Sequence, residues 1–115
     1  MKQKSSELSK KACVPCREGT KALTGSTIDL LKNKLSGNWQ IVSNHHLQKE
    51  FHFKDFSQAM LFINQVAAIA ERERHHPDIQ ISYNKVKLII WTHKVDGLTE
   101  SDFILAAKIN DIPVL

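Results

Sequence analysis

Three histidines and two carboxylates carry most of the chemistry open to this sequence. His75 and His76 stand side by side before Pro77, and His93 closes the apolar run that begins at Val86. Glu71 lies one turn ahead of His75, and Asp102 sits in the polar stretch Thr99-Glu-Ser-Asp102. Imidazole titrates nearest neutrality, so a group of imidazoles suits proton transfer to and from a bound substrate. A neighbouring carboxylate can orient an imidazole or raise its basicity. Glu71 and Asp102 are the candidates, although an acid in the first turn of a helix also answers the helix dipole alone. Three histidines are also a chemically sound zinc set. Against zinc, adjacent residues at a helix end diverge, and His-His-Pro lacks a ligand spacing such as H-E-x-x-H. No metal is expected. The residues alone thus point to an acid–base or anion-binding site with its substrate open. For any single histidine, plain surface polarity is the competing reading.

Two further groups attract attention and then lose it. Cys13 and Cys16 form a lone C-V-P-C with no second C-x-x-C to complete a zinc site. The motif follows a Lys/Ser-rich stretch where a thioredoxin-like one would follow a strand, so two reduced thiols in an N-terminal arm are expected. His45 and His46 fall at a hairpin tip and are read as solvated. The net charge is +4 and the isoelectric point about 9.2. Residues 1–21 hold five lysines and one arginine against two acids, which leaves the remainder of mixed sign. With no aromatic–basic interleaving, nucleic acid is not expected as a partner. No apolar run is long enough to span a bilayer and no secretory signal is visible, so a cytoplasmic, membrane-free protein is expected.

The elements that must position these residues follow from periodicity. At 115 residues, 42% apolar and 24% charged, the chain is sized for one domain, expected over 21–115 behind a flexible arm at 1–20. Thr24, with Leu23 and Ile28 as staple, opens a helix that continues through Leu31 and Leu35 to Gly37. Trp39–Asn44 and Leu47–Phe53 form a hairpin around Asn44-His45-His46. Asp55 and Gln58 fit a capping box for a helix with Phe56, Ala59, Met60, Ile63, Val66, Ala67 and Ala70 on one face. That helix closes in Glu71–Arg74, and Pro77 disfavours helical geometry at His76. Strands at 79–83 and 86–93 turn at Asn84-Lys85, and a last helix follows Thr99. The predicted fold is α+β: helix-strand-strand-helix-strand-strand-helix, a four-stranded antiparallel sheet with helices on one face. The second hairpin should return His93 towards His75 and His76. Ile89 and Trp91 should lie on the open sheet face, where a partner would cover them.

The spacing Glu71-x-x-x-His75-His76-Pro77, followed by Tyr83, Thr92-His93 and Asp102, resembles the signature of the pterin-4a-carbinolamine dehydratases. Phe51-His-Phe-Lys-Asp-Phe56, Tyr83-Asn-Lys-Val86 and Gly97-Leu-Thr-Glu-Ser-Asp102 agree with it, and the likeness spans residues 20 to 112 or so. The resemblance implies a hydro-lyase that converts 4a-hydroxytetrahydrobiopterin to quinonoid dihydrobiopterin, recycling the cofactor of aromatic amino-acid hydroxylases. It implies no metal or organic cofactor. His75, His76 and His93 would be the catalytic set, with His75 and His93 moving protons and His76 and Pro77 orienting the pterin. Thr92, Lys94 and Val95 would line the opposite wall, and Glu71 and Asp102 would support. Ile79 replaces an aromatic residue of some members, and Arg74 an acid common in animal ones. The family forms homodimers or homotetramers, and a functional link to a hydroxylase follows. Some animal members also act as a dimerisation cofactor in transcription, the alternative reading of a different class. A catalytically silent relative is a third, disfavoured by the retained histidines.

Overall fold

Capping and turn residues divide the protein, a computed structural model describing residues 7–14 and 19–113, into three helices and four strands. In chain order these are α1 (Gly25–Lys34), β1 (Gln40–Val42), β2 (His46–His52), α2 (Phe56–Glu73), β3 (Asp78–Ser82), β4 (Lys85–Ile90) and α3 (Glu100–Asn110). Single-turn 3-10 helices occupy Leu8–Lys10 and His93–Val95. The element order is the one expected from periodicity, and the fold is α+β.

The sheet is antiparallel throughout, in the order β1-β2-β4-β3. Alternation gives it two unlike faces. Leu47, Val86, Leu88 and Ile90 are fully buried beneath the helices. On the opposite face the register sets Glu50 beside Lys87 and His52 beside Lys85. Helix α2 lies over β4 and α3 over β2, while α1 and the Leu8–Lys10 turn pack on α3. α3 is buried almost all round, with Phe103, Leu105 and Ala106 at 0% exposure.

Boundaries moved for identifiable reasons. α1 stops at Lys34, with Leu35 already extended, so Gly37 lies beyond its end at φ +93°. Ser43 and Asn44 take positive φ and make the first turn, which frees His46 to open β2 opposite Val42. The buried face of α2 runs through Ala59, Phe62, Val66 and Ala70; Phe56 is 49% exposed and Ala67 is exposed. Phe62 points inward because it packs against the rings of Phe51 (4.6 Å) and Phe53 (5.1 Å). The second hairpin turns at Tyr83-Asn84, because Asn84 binds Phe53 through both its carbonyl and its side-chain amide. β4 therefore begins at Lys85 and ends at Ile90. His93 is in a turn, pinched off where Thr92 bridges Gly97. A Cβ on Gly97 would stand 2.8 Å from that of Ala22, so the close approach needs glycine.

Residues 8–14, part of the stretch expected from sequence to be a flexible or loosely docked arm, pack against the domain. Leu8 is 1% exposed, and Lys108 Nζ donates to the Ser9 carbonyl at 2.7 Å. Cys13 is a free thiol; Cys16, the other half of the C-V-P-C motif, lies outside the described residues.

Candidate active site

His75 owes its position to the way α2 stops. Arg74 adopts the left-handed conformation (φ 55°), and the N–H groups of Arg74 and His75 both turn back to the Ala70 carbonyl. This end, ordinarily given to glycine, swings His75 off the helix and over the start of α3. There its Nε2 meets Asp102 Oδ1 at 2.5 Å.

Asp102 is completely buried, and every donor it needs is present. Its Oδ2 accepts from Thr92 Oγ1 at 2.7 Å and from the Thr99 N–H at 2.8 Å. Thr92 Oγ1 is also 2.9 Å from Thr99 Oγ1. A carboxylate only accepts, so with Oδ2 filled its Oδ1 takes the proton on His75 Nε2. In the neutral ring Nδ1 is then the nitrogen carrying the lone pair. The arrangement fixes both tautomer and ring orientation, as an orienting acid does in acid–base triads. The His75 side chain is 16% exposed, enough to meet a ligand.

It lines a cleft of about 290 Å³, close to the lower size expected of small-molecule sites, roughly 300 Å³. Of the residues anticipated from sequence, His75, Thr92 and Lys94 line it. Four more were not anticipated: Cys13, Val14, Glu73 and Arg74. The Cys13 backbone N–H, donating at 2.9 Å, holds the Glu73 carboxyl below the usual carboxylate range, with Arg72 and Lys108 adding to the effect against burial. Burial, and then the Glu73 charge, push the Cys13 thiol up to about 12. Nothing in a lone C-x-x-C signals this wall, because it depends on where the segment docks.

The other anticipated residues are arranged differently. His76 is exposed and pairs with Glu71, Nε2 to Oε1 at 3.2 Å, so Glu71 supports His76 while Asp102 supports His75. Pro77 and Val95 are half-buried and His93 is exposed. The His93 ring stacks on Trp91 at 3.9 Å, and Trp91 in turn meets His45 at 4.5 Å. His45 binds Asp96 at 2.9 Å and His46 at 3.0 Å, and burial followed by the His45 charge lowers the His46 pKa. The hairpin-tip histidines are thus engaged with protein rather than solvated. His45 and His93 together cover much of the half-buried Trp91 ring. Among the described residues no three His, Cys, Asp or Glu side chains come together in a metal-holding group. No helix among them is long and apolar enough to cross a membrane.

Comparison with known proteins identifies the company this site keeps. A family profile described as pterin 4 alpha carbinolamine dehydratase matches residues 21–112. A protein of Rubrobacter xylanophilus is 45% identical over 105 residues, covering 91% of this chain and 97% of its own length, and carries pterin-4-alpha-carbinolamine dehydratase as a provisional name. Arabidopsis thaliana has a relative named pterin-4-alpha-carbinolamine dehydratase 2, mitochondrial, 42% identical over 94% of this chain and 60% of that longer one. A crystal structure from Brucella melitensis, named transcriptional coactivator/pterin dehydratase, superposes with a TM-score of 0.71 at 39% identity, over 77% of this chain and 95% of that one.

Proposed function

Because this chain belongs to the pterin-4-alpha-carbinolamine dehydratase family of hydro-lyases, we propose that it dehydrates 4a-hydroxytetrahydrobiopterin by histidine acid–base catalysis. The observation that carries the reading is His75, held through Nε2 by buried Asp102 at the cleft wall. The reaction breaks the C4a–O bond, so the departing hydroxyl must gain a proton. N5 must lose one as its electron pair forms the C4a=N5 bond of quinonoid dihydrobiopterin. Two proton transfers on adjacent atoms call for an acid and a base, and imidazole serves as either near neutral pH.

His75 takes one transfer and His93 the other. His76, paired with Glu71, and Pro77 orient the ring, while Thr92, Lys94 and Val95 complete the substrate contacts. Asp102 acts through His75, fixing which nitrogen faces the pterin. No metal or organic cofactor takes part. The product is the form from which tetrahydropterin is regenerated for aromatic amino-acid hydroxylases, a cytoplasmic recycling role that links this protein functionally to such an enzyme. The protein works as a homodimer or homotetramer.

The test is dehydration of chemically generated 4a-hydroxytetrahydrobiopterin, followed by absorbance. His75→Ala and His93→Ala should each lose most of the acceleration, roughly 10²-fold or more. A double variant with full activity would sink the mechanism. A second reading, a protein-binding role in transcription, is favoured by one observation: the Brucella melitensis protein is named a transcriptional coactivator as well as a pterin dehydratase. Binding to a transcription factor that survives His75→Ala would support it as a separate activity.

A further inference from the structure

Segment Leu8–Val14 lies outside the family match at 21–112 yet reaches the cleft. Leu8 anchors it in the core, and Lys11 pairs with Glu100 at 3.2 Å on the first turn of α3. Two residues further on, the Cys13 N–H donates to Glu73 Oε1, and Cys13 Sγ is 3.5 Å from the Ser101 carbonyl. The Ser101 hydroxyl then takes Val14 from both sides, accepting from its N–H at 3.0 Å and donating to its carbonyl at 3.2 Å. Val14 is therefore held by its main chain while the residue stays 63% exposed at the edge of the cleft. Apolar surface fixed in advance beside convergent polar groups suits a flat heteroaromatic ligand, because little ordering remains to be done on binding.

We propose that Leu8–Val14 is a strap forming one wall of the substrate cleft, with Val14 an apolar contact to the pterin and Ser101 and Glu73 the positioning residues that hold it. The inference rests on the reading that this cleft takes a pterin. The one titratable group the strap brings to the cleft, the Cys13 thiol, is turned to the Ser101 carbonyl, so the strap is assigned to affinity and the chemical step to His75 and His93.

The experiment compares Val14→Gly, Val14→Ile and Ser101→Ala with the wild-type chain. Two quantities are measured: steady-state dehydration, and calorimetric binding of oxidised biopterin as a stable probe. Losing one contacting valine should raise KM and the biopterin Kd together, roughly five- to tenfold for Val14→Gly. Ser101→Ala should move both in the same direction. Val14→Ile, which keeps an apolar contact, should move KM and Kd less than Val14→Gly does, and kcat should hold within about twofold in all three. The wall is overturned if Val14→Gly and Ser101→Ala keep wild-type KM and Kd, or if kcat falls with KM unchanged. Wild-type protein that binds biopterin without dehydrating substrate would refute the activity, and the Kd comparison alone would then decide the strap. Wild-type protein that binds no pterin overturns both.

Discussion

Asp102 is the residue on which the site turns, because one buried carboxylate sets the geometry of three neighbours. Asp102→Asn keeps the volume but replaces an acceptor with a donor, so either His75 Nε2 must accept and the ring switch tautomer, or the Thr92 and Thr99 donors lose their acceptor. We expect kcat to fall by roughly 10²-fold or more, with stability lower by about 1–3 kcal/mol. Stopped-flow rates and urea denaturation check the two parts, and a kcat within threefold of wild type would remove His75 orientation from the mechanism. Cys13 gives a second expectation. With its thiol at about 12, against an ordinary 9.0, it carries about a thousandfold less thiolate at neutral pH. Iodoacetamide should therefore label it far more slowly than glutathione, as read by peptide mass spectrometry. The sign of the linked effect on stability follows. The folded state keeps its proton longer than the unfolded one, so the contribution is intact below pH 9 and is lost as pH rises from 9 towards 12. A stability flat across that window, or rapid labelling, would contradict the docked thiol. His75, His76, His93, Glu71 and Asp102 were all visible in the sequence as chemistry-bearing types. Which carboxylate served which imidazole was not, since His75 meets Asp102 only through the packing of α2 on α3.

At the scale of elements, the end of α2 is a strained solution to a positioning problem. Arg74 has the left-handed backbone that glycine adopts without penalty, which costs an ordinary residue about 1 kcal/mol. Arg74→Gly should accordingly raise unfolding free energy by about 0.5–1 kcal/mol, measurable by denaturant titration. A loss of stability would show that the arginine side chain contributes more than its backbone costs. This helix also marks what local signals convey. Asp55 was legible as a cap, and its side chain does accept from the Gln58 N–H at 2.9 Å. The stop near Arg74 was legible from Pro77. The buried face was only partly so: Phe62 lies off the stripe traced through Phe56 and Ala67, and only ring contacts from β2 and the residue after it reveal that it points inward. The turn that removes His93 from β4 was equally hidden, because it depends on the bridge from Thr92 to Gly97 across four intervening residues.

For the whole molecule, hairpin signals named the strand pairs β1-β2 and β3-β4, but the central β2-β4 contact that makes one sheet of them is a long-range pairing with no local mark. That order has a consequence for assembly. It leaves β3 as an edge strand whose five residues are all exposed, with Ile79 at 37% and Ile81 at 39%, and Tyr83 at 65% in the turn beyond. The apolar surface expected at Trp91 is instead covered by His45 and His93. The exposed apolar surface of the sheet thus lies at this edge. An edge of this kind, carrying isoleucines and unpaired backbone groups, invites a second strand. Self-association through this edge would pair the same strand of a second copy antiparallel about a two-fold axis. Light scattering should give a mass that is a multiple of 13.1 kDa rather than one chain. Ile81→Lys, which sets a charge on the edge, should shift the population towards the single chain at micromolar concentration. A wild-type protein that scatters as 13.1 kDa would remove the self-pairing edge. An Ile81→Lys variant as fully associated as wild type would move the interface elsewhere, with Phe56 and Leu61 on α2, 49% and 55% exposed, the next apolar surface to substitute.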